Sequence, residues 1–253
     1  MSAPPEETRG TGSKGTIALV TGANKGLGRE TARQLASLGM TVLVGSRDRR
    51  RGASTAAALG PGARPVLLDV TDGGCLQAAA EEICGTYGRL DVLVNNAGVS
   101  VAVPADKTDG ATLRQVLDVN VVGVVDTIRV FLPLLRRSEA PRIVNVSSTT
   151  ASFALTAAGA DFGGDAAGRL AYSTSKAALN MLTVQYANAF RRDPGLSHIL
   201  INAATPGYVA TDMNGHRGTR TVEDGARVIV QLATLPADGS TGGFFNDQGP
   251  VSW

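Results

Sequence analysis

Short apolar runs alternate along the chain with longer stretches in which apolar residues recur at helical spacing. Runs at residues 16–21, 41–45, 65–69, 92–95, 142–147, 198–203 and 243–246 predict strands. Residues 27–38, 48–58, 71–87, 111–136, 171–192 and 221–235 predict helices. This alternation specifies βαβ units, hence an α/β fold with a parallel sheet of about seven strands flanked by helices. The last helix opens Thr221-Val222-Glu223-Asp224, a capping-box-like start with Asp in place of the usual Glu or Gln. No long linker, repeat or low-complexity tract divides residues 15–253, which predicts one doubly wound domain. Ligands of such sheets bind beyond the carboxyl ends of the strands.

Composition removes several function classes. Hydrophobic residues make up 43% and charged residues 18%, the balance of a soluble globular protein. A formal net charge of +2 gives no general electrostatic case for nucleic-acid or membrane partners. Residues 1–14 are polar, rich in Pro, Gly and charge, and read as a flexible tail rather than a signal peptide. No run reaches the length of a transmembrane helix. Cys75 and Cys84 lack metal-type spacing, and His198 and His216 are the only histidines, so no metal site and two reduced thiols in a cytoplasmic protein are expected.

Chemistry first shows at the N-terminal strand, which runs from Thr16 to Thr21 straight into Gly22-Ala23-Asn24-Lys25-Gly26-Leu27-Gly28 and a helix. Glycines there let backbone approach a pyrophosphate, and the helix N-terminus offers free N–H groups and a positive dipole end. The second strand ends Gly45-Ser46-Arg47-Asp48. NAD-binding folds place a carboxylate about 20 residues past the glycines to hold the adenosine ribose. Ser46 occupies that position here, followed by Arg47, whose guanidinium suits a 2′-phosphate. Lys25 can reach the same phosphate, so NADP(H) is the expected cofactor. Asp48 is the rival and would select NAD if the strand ended two residues later. Arg49, Arg50 and Arg51 read as a solvated helix face. Asp69 and Val70, closing the third strand, are placed to touch the adenine, or Asp69 caps the next helix.

A second set of residues gathers at the ends of later strands. Asn95-Asn96-Ala97-Gly98 makes a tight turn beside the nucleotide. Asn120 sits inside an apolar helical stretch, where an amide needs partners. Ser147 and Ser148 end the fifth strand, and Tyr172 lies one helical turn before Lys176. A phenol is a weak acid, with an ordinary pKa of about 10, and a neighbouring cation favours its phenolate. Each of these has a structural reading when taken alone.

Together, in this order, they resemble the short-chain dehydrogenase/reductase family over roughly residues 16–253. The resemblance rests on the glycine turn, Asn95-Asn96-Ala97-Gly98, Asn120, Ser148, Tyr172-x-x-x-Lys176 and Pro206-Gly207. It implies a Rossmann-type fold and a tetrad of Asn120, Ser148, Tyr172 and Lys176. In that tetrad Tyr172 donates a proton to a carbonyl oxygen and Lys176 lowers its pKa and binds the nicotinamide ribose. Ser148, the second serine of the pair, bonds the substrate oxygen, and Asn120 holds a water. Pro206, Gly207, Val209 and Thr211 resemble the loop on the nicotinamide side, although Thr211 also reads as a loop stabiliser.

Ser148 and Tyr172 lie 24 residues apart, further than is usual in the family. The surplus at residues 153–169 resembles the insertion of the carbonyl-reductase and menthone-reductase subgroup, as do Asn24-Lys25, Arg47 and Thr211-Asp212-Met213. The resemblance implies NADPH-dependent reduction of hydrophobic ketones or aldehydes. Phe153, Tyr208 and Met213 are expected at the substrate, with Val101, Phe162 and the region of Trp253 nearby. An NAD-preferring alcohol or hydroxysteroid dehydrogenase working oxidatively is the competing enzyme. A non-catalytic NADP(H)-sensing protein is the competing non-enzyme. A small-molecule carbonyl or alcohol is the only partner expected, and monomer and homodimer both stay open.

Overall fold

The computed structural model describes residues 15–253; the tail expected at 1–14 lies outside the described residues. The chain order is β1 (Ile17–Val20), α1 (Gly26–Ser37), β2 (Thr41–Ser46), α2 (Arg49–Leu59), β3 (Ala63–Leu67), α3 (Gly73–Tyr87) and β4 (Val92–Asn95). It continues with α4 (Gly110–Leu117), a π-helical turn at Asp118–Val122, α5 (Gly123–Leu135), β5 (Arg142–Val146), α6 (Phe153–Ala157) and α7 (Leu170–Arg192). The remainder is β6 (Leu200–Ala204), α8 (Val222–Ala233), β7 (Phe244–Asn246) and β8 (Gly249–Pro250).

All eight strands form one sheet in the order β3-β2-β1-β4-β5-β6-β7-β8. Pairing is parallel throughout except between β7 and β8. Sequence order reverses between β1 and β4, which opens a crevice at their carboxyl ends. Strand residues alternate between two apolar layers. Leu19, Leu43, Leu93, Ile143 and Ile201 pack with α3, α5 and α7, while Val20, Val44, Val94, Val146 and Ala204 pack with α1 and α8. Each fully buried Leu, Ile or Val of these layers stabilises the fold by roughly 1.5–3 kcal/mol.

At the opposite end of the sheet, buried Asp91 accepts the Ile17 N–H (2.8 Å), the Ser138 hydroxyl (2.6 Å) and the Arg89 guanidinium (3.0 Å). That end is closed by its own partners. The carboxyl end is where polar groups are left for a ligand.

The seven expected strands form, and among the described residues two-residue β8, too short to carry any periodicity, joins them by folding back antiparallel on β7. One expectation is corrected. The helix expected over 111–136 is interrupted at Asp118–Val122 by the π-turn around Asn120. Within residues 153–169 the structure forms one short helix, α6, capped by the Ser152 hydroxyl, which accepts the Leu155 N–H at 3.1 Å. At α8 the Thr221 oxygen accepts the Asp224 N–H (3.1 Å), and its hydroxyl donates to the Asp224 carboxylate (2.8 Å).

Candidate active site

The glycine turn is held to β4 through Thr21 and Asn96. Thr21 Oγ1 accepts the N–H groups of Asn96 (3.0 Å) and Ala97 (2.9 Å), and the Asn96 amide donates to Thr21 O (2.8 Å). Gly22 and Gly26 have φ of +62° and +53°, a region that L side chains rarely adopt. A Cβ at Gly28 would lie 2.4 Å from Asn96 Nδ2 and 2.7 Å from Gly22 O, so no larger residue fits. Backbone is thus brought to the start of α1 with no side chain in the way, a cradle that fits a nicotinamide dinucleotide's pyrophosphate. Leu27, Pro206 and Val209 converge on Gly225 of α8, and Thr211 lies within 3.8 Å of a Cβ built at Gly26. The 205–211 loop therefore overhangs the turn. Gly207 takes φ +77° there, with the Arg220 side chain packed against it.

At the end of β2, Ser46 is buried and its hydroxyl is spent on Asp48, donating to Asp48 O (2.9 Å) and accepting its N–H (3.2 Å). Asp48 caps α2 by accepting the Arg51 N–H (3.0 Å) and pairs with the Arg51 guanidinium (3.3 Å). That backbone bond and the nearby guanidinium hold its carboxyl below the usual range. Arg47 is exposed beside both. A cleft of about 460 Å³ opens here, lined by Arg47, Arg49, Leu67, Asp69 and Cys75. Asp69 turns its carboxylate onto Thr71, accepting its N–H (3.0 Å) and hydroxyl (2.7 Å), and Val70 packs against Gly123. Lys25 does not point to Arg47: its ammonium pairs with Asp212 at 2.9 Å, and Asp212 also meets His216 Nε2 at 2.9 Å. Asn24 offers its carbonyl to Thr55 (3.0 Å).

The second cluster is assembled from β4, β5, the π-turn and α7. Asn120 is fully buried; its Oδ1 accepts the Val99 N–H (2.8 Å), and its Nδ2 donates to Val99 O (2.9 Å) and Ser175 Oγ (2.9 Å). Ser175 in turn donates to Tyr172 O (2.7 Å). Lys176 is buried, donates to Val146 O at 2.7 Å and lies 5.8 Å from the centre of the Tyr172 ring. Gly98 leaves room for both: a Cβ there would stand 3.2 Å from Asn120 Oδ1 and 3.5 Å from Lys176 Nζ. The two serines divide. Ser147 faces inward and donates to Asn180 Oδ1 (2.6 Å), whereas Ser148 is part-exposed and 3.1 Å from Thr150 Oγ1.

The family model described as short chain dehydrogenase matches residues 16–221. The chain belongs to the short-chain dehydrogenase family. As such it is an oxidoreductase acting on alcohol or carbonyl groups with a nicotinamide cofactor. It is 32% identical to salutaridine reductase of Papaver bracteatum, over 96% of this chain and 97% of that protein. It is 31% identical to carbonyl reductase [NADPH] 1 of Bos taurus, over 95% and 99%. Among solved structures, NADPH-bound carbonyl reductase from chicken fatty liver superposes with a TM-score of 0.82 at 28% identity, covering 95% of this chain and 99% of that one.

Electrostatics within this short-chain dehydrogenase follow from burial. Burial pushes the Tyr172 hydroxyl above its ordinary pKa of 10.0, and the Ser148 hydrogen bond pulls it part of the way back. Burial brings Lys176 down to about 8, since its ammonium has a backbone carbonyl but no carboxylate beside it. In the protein alone, then, Tyr172 is a protonated phenol at neutral pH.

Of the residues expected at the substrate, Tyr208 is half-buried against Gly163 and Gly164, Met213 is exposed, and Phe153 is 73% exposed on α6. Reading the sequence missed Ser175, Val99 and the Val146 carbonyl. Ser175 carries a weak signal, as a hydroxyl inside the Tyr172–Lys176 turn; a backbone partner carries none.

Proposed function

We propose that the chain is an NADPH-dependent carbonyl reductase for hydrophobic ketones or aldehydes, with Asn120, Ser148, Tyr172 and Lys176 as its working groups. The observation that carries this reading is the half-buried Tyr172 hydroxyl, kept in its protonated form by burial, with Ser148 and the buried Lys176 beside it. Protonated phenol is the form needed to donate a proton to a carbonyl oxygen, which favours reduction over oxidation at neutral pH. Ser148 Oγ binds the same oxygen and stabilises the charge it gains. Lys176, charged below about pH 8, offsets the phenolate left on Tyr172. Asn120 pins the 99 loop to α7 through Val99 and Ser175, and Ser175 in turn holds the Tyr172 carbonyl in the first turn of that helix. When bound, the nicotinamide cofactor supplies the hydride.

Cofactor choice rests on Arg47. With Asp48 committed to capping α2 and to Arg51, the exposed cation at the end of β2 faces the cleft beside Asp69, which suits a 2′-phosphate. Carbonyl reductase [NADPH] 1 among the relatives agrees with that choice. The test is cofactor consumption with a panel of aryl ketones, aryl aldehydes and short aliphatic aldehydes. We expect NADPH oxidation with the apolar carbonyls and at least about tenfold lower kcat/KM with NADH, the size of one lost charge-assisted contact. Preference for NADH, or no turnover of any carbonyl, would overturn the reading.

A further inference from the structure

We propose that Trp253 is the positioning residue of a lid formed by residues 153–169, clasping the root of that lid so that it closes over bulky carbonyls. The inference deepens the carbonyl-reductase reading and rests on it for the substrate class.

The segment leaves the catalytic strand just after Ser148 and re-enters α7 just before Tyr172, so its two ends are tied to two groups of the site. Its far part rests on two loops at the carboxyl end of the sheet. Cβ positions at Gly163 and Gly164 come within 3.1 Å and 2.9 Å of the Tyr208 ring and hydroxyl, on the nicotinamide-side loop. At Gly168 a Cβ would stand 3.1 Å from Ala102 Cβ, on the loop after β4. Arg169 donates to Gly163 O and lies 5.8 Å above the Phe162 ring, which folds this part on itself. Gly159, Gly163 and Gly164 all have positive φ, near +70°, and so mark the bends.

The root is α6, a five-residue helix, too short to persist without tertiary support. Ser152 satisfies the Leu155 N–H, and the Ala154 N–H donates to Trp253 O at 3.0 Å. That bond is the hydrogen bond among the described residues that reaches α6 from a distant part of the chain. Trp253 is itself held by stacking on Phe244 of β7, with ring centres 5.4 Å apart and planes at 19°, an offset-stack distance. Phe244 is 2% exposed and its carbonyl accepts the Val251 N–H at 2.8 Å, so the clasp is anchored in the sheet. The unexpected strand β8 thereby acquires a use: it returns the chain from β7 to the lid's root. Losing the ring stack frees the carbonyl, lets α6 fray and lowers the fraction of molecules with the lid in place. A substrate that touches the lid then binds more weakly by that fraction, while one too small to touch it does not feel the change.

Hydrogen exchange of the α6 amides and steady-state kinetics on full-length wild type, Trp253→Ala and Trp253→Phe test this. In Trp253→Ala, exchange at Ala154 and Leu155 should speed about tenfold while β5 and the middle of α7 keep their protection. The ratio of kcat/KM for an aryl ketone to that for a short aldehyde should fall about fivefold, through KM rather than kcat. Trp253→Phe, which keeps a stacking ring, should restore both. Unchanged exchange at α6 would overturn the clasp, and faster exchange with an unchanged ratio would overturn its role in substrate selection. Absence of carbonyl turnover by wild type would instead overturn the reductase reading, and exchange would still decide the clasp.

Discussion

In the glycine turn every bend is locked by a neighbour: Thr21 gathers two N–H groups, Asn96 fills the space behind Gly28, and Asp48 is occupied by the helix it caps. Residues 153–169, at the same end of the sheet, are held by a short capped helix, one distant carbonyl and ring-on-glycine contacts. The first region must present backbone atoms to a ligand of fixed shape, and sub-ångström rigidity serves it. The second is the segment proposed as a lid, and few contacts leave its opening free energy small.

Substitutions in the two regions should therefore differ in size and kind. Gly28→Val is expected to have the largest effect. Its side chain collides with Asn96 Nδ2 and Gly22 O, which should cost about 3 kcal/mol in denaturant unfolding and abolish NADPH binding in a fluorescence titration. Lys176→Met sharpens the contrast between function and stability. Folded Lys176 releases its proton near pH 8, an unfolded lysine near 10.5, so the unfolded state binds more protons between those values. The burial penalty is complete below pH 8 and is relieved as pH rises toward 10.5. At pH 7 the Met variant should gain about 3 kcal/mol, less whatever the Val146 carbonyl loses, while reductase activity collapses. Wild-type reduction should likewise decline above about pH 8, as Lys176 loses its charge.

Arg47→Asp should weaken NADPH binding about tenfold and leave NADH nearly unaffected, as read by paired titrations. The smallest effect belongs to the loosely held region. Ser152→Ala removes the α6 cap, and about 1 kcal/mol of local protection should vanish from the α6 amides with global stability almost unchanged. A large global loss there would break the comparison, because it would make the segment part of the core.

Legibility in the sequence followed the same division. Strand–helix alternation, the glycine turn and the Asn120, Ser148, Tyr172 and Lys176 positions were readable because each depends on residue type at fixed spacing. The choice of Ser148 over Ser147 came from family resemblance; Ser147 is turned inward onto Asn180, a contact no local pattern announces. The break at Asn120 was not readable. Apolar periodicity runs through 111–136, and the bonds of the Asn120 amide to Val99 and Ser175, which accompany the π-turn, leave no trace in it. Lys25 is expected from its place in the turn to reach the phosphate; its ion pair with Asp212, far along the chain, carries no local signal in the sequence. The Trp253–Phe244 stack and the Ala154 bond were equally hidden, being contacts between segments that no local pattern links.

The central claim is that Tyr172 is the proton donor of a carbonyl reduction, and Tyr172→Phe tests it most directly. The variant keeps the ring and loses only the hydroxyl. With NADPH oxidation followed against an aryl ketone, kcat should fall by about 10³-fold while NADPH affinity stays within about twofold of wild type. Full turnover by Tyr172→Phe would contradict the account.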